Sequence, residues 1–168
     1  TNVLKPLVSV ITNIGLEHTK ILGGSLRKIA FEKAGIITKN IPIVTGAEGI
    51  GLREIKRITK EKQGLFYGLS DEVRFDFQFL KGEFQQKNGL IAKSTLDVLS
   101  KFHKIKIDNI KEGIEKTKIK GRFEFIDQNV IIDCAHNQDG FDILIKEVKK
   151  LKSIKKFKNI IFVVGLLR

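Results

Sequence analysis

Methionine and tryptophan are absent from the 168 residues, tyrosine and cysteine occur once each, and proline twice. A lone cysteine, Cys134, has no internal partner. This excludes a disulfide framework within the chain and suits a reducing compartment, so a cytoplasmic location is expected. Cys/His metal spacings are missing too. No apolar run approaches the ~20 residues that cross a bilayer, and no signal pattern stands at the start. That start is Thr1 rather than Met, so the true beginning is expected upstream. Neither a G-x-x-x-x-G-K-[ST] phosphate loop nor a nucleophile elbow occurs. Internal repeats and low-complexity tracts are also lacking.

What is present is enough for one domain or parts of two. At 42% hydrophobic the chain can bury a real core. The net charge of +12 raises the question of nucleic acid. The lysines, however, are spread from Lys5 to Lys158 instead of being concentrated with aromatics on one element. A solvated lysine-rich exterior that attracts small anions is the better reading.

Residues 7–11, Leu-Val-Ser-Val-Ile, form a near-continuous apolar run, expected as a strand buried on both faces in a parallel sheet. A loop with Asn13, Gly15, Glu17 and His18 follows. Ser25 is placed to cap a helix in which Leu26, Ile29, Ala30, Lys33, Ala34 and Ile37 share one stripe. Residues 41–44 and 65–67 read as further short strands around a helix over 51–62. Val73, Phe75, Phe77 and Phe79 alternate with polar residues, which predicts a half-exposed antiparallel strand. Helices are expected over 90–102, with Ile91, Ala92, Thr95, Leu99 and Phe102 at helical spacing, and over 107–116. Residues 118–122 read as a junction. A hairpin over 123–132, an amphipathic helix over 140–151 and a buried strand over 160–164 complete the pattern.

Six residues stand out. His18, in a glycine-bearing loop after a strand, can ligate a metal, act as a base or cap a helix; a structural loop histidine is the plainer reading. Lys33 falls where the helix period wants Leu or Ile, and burying an ammonium is costly unless it is paired or neutralised. It either snorkels, binds phosphate, serves as an amine of lowered pKa, or becomes a carbamate able to ligate a metal. Asp133 and His136 sit at a strand end, where a carboxylate can accept ribose hydroxyls, while Asn137 or Asp139 can simply cap the next helix. Arg122 precedes the hairpin and can bind phosphate or lie on the surface. Asn88 lies in Phe84-Gln85-Gln86-Lys87-Asn88.

Several stretches together resemble the folylpolyglutamate synthase and dihydrofolate synthase family of the Mur ligase superfamily. Residues 9–19 with Leu22-Gly23 are similar to its ITNIGLDHTxxLG signature, and residues 29–37 to IAxEKAGI. Residues 84–88 resemble HQxxN, residues 121–124 GRxE, and residues 133–137 DxAHNP, all in the same order. Departures are Glu17 for Asp, Phe84 for His and Gln138 for Pro. The resemblance implies an α/β fold: residues 1–120 as the latter part of a mostly parallel, P-loop-type central ATPase domain, and residues 121–168 as the start of a Rossmann-like C-terminal glutamate-ligase domain. The phosphate loop is expected upstream of Thr1. The implied activity joins L-glutamate to a folate carboxylate through an acyl phosphate, using ATP and Mg2+. Dihydropteroate is the acceptor in the dihydrofolate synthase alternative or a bifunctional enzyme. His18 and Lys33 would be the metal and catalytic residues, with Lys33 carbamylated; Asn88, Arg122, Asp133 and His136 would contact ATP. A monomer is implied for the intact enzyme, and no activity for these residues alone. The competing class is a non-enzymatic remnant or a basic nucleic-acid-binding module.

Overall fold

The structure is a computed structural model and describes residues 3–16, 24–71, 73–103, 108–155 and 157–165. It opens with three short parallel strands, β1 (Ser9–Ile11), β2 (Pro42–Thr45) and β3 (Leu65–Tyr67), in the order β1-β2-β3. Ser9 aligns with Ile43, and Ile43 with Phe66. Helix α1 (Leu26–Lys33) connects the first pair and α2 (Gly49–Glu61) the second. The parallel sheet expected from the apolar runs is therefore present. All four residues of β2 are buried, which requires cover on both faces of the sheet. Strand β1 is shorter than expected: Leu7 is exposed, and only Ser9 and Ile11 are fully buried.

Ser25 caps α1, its hydroxyl accepting from the Lys28 N–H at 3.3 Å. The expected stripe holds: Ile29, Ala30, Ala34 and Ile37 are buried while Lys33 stays half-exposed. The core cluster joins Ile11, Ala34, Ile37, Ile43, Ala47, Ile55 and Ile58. One buried charge ties α1 to α2. Glu54 accepts from Arg27 Nε at 3.2 Å and from Arg57 at 3.2 and 2.6 Å. Those bonds, Arg57 foremost, hold its carboxyl below the usual value of 4.5.

Residues 73–79 differ from expectation. No strand forms there, although Phe75 is buried and Phe77 half-buried. Side chains supply what a partner strand would. The Gln86 amide takes both backbone groups of Phe75: Oε1 accepts from its N–H at 2.9 Å, and Nε2 donates to its C=O at 2.8 Å. Glu115 receives the N–H groups of Asp76 and Gln78 through its carboxylate and its carbonyl. Gly89 lacks a side chain where the rings of Phe75 and Phe77 press on it; a Cβ would lie 2.8 Å from Phe75.

Helix α3 (Phe84–His103) starts six residues before the expected point. Its buried face is Gln85, Gly89, Ile91, Ser94 and Val98; Ala92 and Phe102 are exposed, which corrects the predicted stripe. At its end the exposed His103 Nε2 lies 3.3 Å from the Leu7 carbonyl. Helix α4 (Ile110–Glu115) follows. The expected hairpin is β4 (Glu124–Asp127) with β5 (Val130–Ile132), antiparallel with a bulge. Helix α5 (Gln138–Lys155) ends the regular structure. Residues 160–164 make no strand and are exposed, Ile161 at 87% and Val163 at 96%. A parallel strand forms only against a neighbour, and among the described residues none pairs with this one.

Candidate functional site

Where β1 ends, the chain turns through Thr12 and Asn13. Helix α3 brings Asn88 to this point, the junction brings Arg122, and the β5–α5 loop brings Asp133 and His136. All six residues line one cavity of about 950 Å3. Its walls also include apolar Ile91, Ile143 and Leu144, so it offers an apolar surface beside a small polar set.

Asp133 is held firmly. One carboxylate oxygen accepts from the Phe123 N–H and the other from the Ala135 N–H, both at 2.8 Å. It thereby pins the end of β5 to the start of β4, where Phe123 has a left-handed φ of 49°. Each oxygen keeps a lone pair for a further donor. The His136 Nδ1 lies 2.9 Å from the Cys134 carbonyl. A carbonyl only accepts, so Nδ1 carries the proton and a neutral ring presents Nε2 as an acceptor. Asn137 caps α5: its side-chain oxygen accepts from the Gly140 N–H at 2.8 Å. Of the two capping candidates, Asn137 does the work.

Asn88 lies on the exposed side of α3, its amide donating to the Gln85 side chain at 2.9 Å. Lys87, one residue earlier, is paired with Glu48, and that hydrogen bond lowers the Glu48 carboxyl below its usual 4.5. Arg122 has no ion-pair or hydrogen-bond partner among the described residues, which leaves its guanidinium available to an anion in the cavity. Lys33 is not part of the lining. Its ammonium donates to the Asn13 carbonyl at 3.3 Å, tying the end of α1 to the loop after β1. His18 and Glu17 lie outside the described residues. Among the described residues, no three His, Cys, Asp or Glu stand where they could hold a metal ion.

The lining combines an apolar wall, a carboxylate and an imidazole that can accept from hydroxyls, and a guanidinium, unpaired among the described residues, that can meet an anion. Sequence reasoning missed Asn13 and Gln85, which touch or support this lining, because neither breaks the local pattern.

Folylpolyglutamate synthase of Lacticaseibacillus casei is 33% identical over 181 residues, covering 91% of this chain and 42% of that protein. Dihydrofolate synthase/folylpolyglutamate synthase of Bacillus subtilis (strain 168) is 30% identical over 178 residues, covering 89% and 41%. An FPGS–AMPPCP–folate complex superposes with a TM-score of 0.81 at 28% identity, covering 95% of this chain and 45% of that one. No family model matches. The chain spans less than half the length of these relatives. The fold places it in the Mur ligase class of α/β proteins. Within that class it is a homologue of folylpolyglutamate and dihydrofolate synthases over nearly all of its own length.

Proposed function

We propose that the protein to which this chain belongs joins L-glutamate to the carboxylate of a folate at the expense of ATP. What supports this is the convergence of Asn88, Arg122, Asp133 and His136 on one nucleotide-sized cavity, in a chain related to enzymes of that name. Arg122 binds the phosphates and neutralises charge on the group being transferred. Asp133 and His136 Nε2 receive the sugar hydroxyls, and Asn88 orients the nucleotide from the opposite wall. His18 and a carbamylated Lys33 are the candidate magnesium ligands; the ion would stabilise phosphoryl charge when bound. The carboxylate is activated as an acyl phosphate, and the glutamate amine displaces phosphate from it. In this reading residues 1–120 belong to the ATPase domain and residues 121–168 begin the glutamate-ligase domain. In the same reading the enzyme is cytoplasmic and monomeric.

The protein as its gene encodes it should release phosphate only when ATP, glutamate and a reduced folate are all present. Phosphate release that ignores glutamate and folate would sink the reading. Dihydropteroate is the acceptor to assay beside folate, because several relatives carry both synthase names. The 168 residues alone, with no phosphate-cradling glycine loop among them, are expected to be inactive. Turnover by that polypeptide would overturn this expectation.

A further inference from the structure

Helix α5 is amphipathic in sequence, yet among its described residues the one that is buried is a glutamate. Glu147 is 8% exposed, while Ile143, Ile145 and Ile154 on the same helix are exposed. Burying a carboxylate is unfavourable unless it is hydrogen-bonded, so its partners reveal what it is for. Its Oε1 accepts from the Glu83 N–H at 3.2 Å, across 64 residues of sequence, and Lys150 of its own helix stands 3.6 Å away. Glu83 immediately precedes α3. The N–H comes from the start of a 20-residue helix, where a negative charge is favoured by the unpaired amides and the helix dipole. The turn is built for this approach: Gly82 has φ of +100°, and a Cβ there would meet Phe84 at 2.4 Å and Glu147 Cγ at 3.5 Å.

The two helices joined in this way both line the cavity. Asn88 lies on α3, one turn beyond the anchored end, and α5 begins directly behind Asp133 and His136. We propose that Glu147 is a positioning residue for the nucleotide site, fixing the start of α3 against α5 and so the span between Asn88 and the Asp133–His136 pair. This rests on reading the cavity as a nucleotide site. Glu147 touches no ligand itself and acts through the Glu83 amide.

The test uses the protein as its gene encodes it, with AMPPCP as the probe and amide hydrogen exchange as a readout that needs no catalysis. In Glu147→Ala, exchange at Glu83 and the first turn of α3 should quicken by about tenfold or more. AMPPCP should bind about tenfold more weakly, equivalent to about 1.4 kcal/mol. Glu147→Gln, which keeps an oxygen acceptor, should recover most of both. Gly82→Ala, which strains the turn through Phe84 while keeping the Glu147 carboxylate, should reproduce both effects and serves if Glu147→Ala does not fold. Unchanged exchange at Glu83 in Glu147→Ala or Gly82→Ala would overturn the anchor. Quickened exchange with AMPPCP affinity held within about twofold would overturn the positioning role. An unaltered protein that fails to bind AMPPCP would overturn the functional reading itself, whatever the exchange data say about the anchor.

Discussion

Residues 7–67 and residues 121–165 are both α/β in composition, yet they spend their apolar residues differently. In the first region Ile29, Ile43, Val44 and Ile55 are fully buried between a parallel sheet and its helices. In the second, Ile126, Val130, Ile132, Ile143, Ile145 and residues 160–164 are exposed, and the deepest residue of α5 is a carboxylate. The first region is organised by its own core. The second is organised by polar bonds: Asp133 to two backbone amides, Asn137 to the start of α5, and Glu147 to α3. Its candidate ligand residues are therefore held by hydrogen bonds more than by packing.

The sharpest way to break this contrast is paired truncation. Ile43→Ala should cost about 2–5 kcal/mol in denaturant unfolding, whereas Ile145→Ala should stay within about 0.5 kcal/mol. Equal losses would show that the second region packs as tightly as the first. For function, Lys33→Ala in the gene-encoded enzyme should reduce ligase turnover by more than about tenfold, an order set by losing a charge-assisted contact. Lys39→Ala, an exposed change, should not; similar losses for the two would remove Lys33 from the site. Between the regions, Gln86→Leu should cost about 1–3 kcal/mol by stranding both backbone groups of Phe75, as read by thermal unfolding.

The smallest effect is acidic. Arg57 and Arg27 lower the folded pKa of Glu54 below 4.5, so its contribution is fully present above about pH 4.5 and is lost as pH falls through the lower folded value. Glu54→Gln should therefore flatten the melting temperature between neutral pH and pH values below 4.5. An unaltered slope would mean other carboxylates dominate.

The parallel sheet, the cap at Ser25 and the hairpin were legible in the sequence, because each leaves a local mark. Apolar runs show strands, and a serine before a periodic stripe shows a helix start. That Asn88, Arg122, Asp133 and His136 go together was implied only by the family resemblance; the structure brings them to one cavity. What was not legible is non-local. Alternation over residues 73–79 correctly marks Phe75 as buried, but its hydrogen-bond partners are Gln86 and Glu115, which no periodicity reveals. Residues 160–164 have the composition of a buried strand, yet a strand exists only where a neighbour supplies the ladder. Helix α3 begins with Phe84-Gln85-Gln86-Lys87, which lacks the spacing that betrays a helix. The burial of Glu147 leaves no local mark, because the amide that donates to it lies 64 positions away.

The Gln86 clamp has a consequence for how the molecule behaves in a crowded solution. An extended segment rich in phenylalanine is a template onto which a second chain can add a strand. Here a side-chain amide occupies both backbone groups of Phe75, and Glu115 takes the N–H groups of Asp76 and Gln78. An amide side chain satisfies an edge without extending it, so a second chain would find both backbone groups of Phe75 already taken.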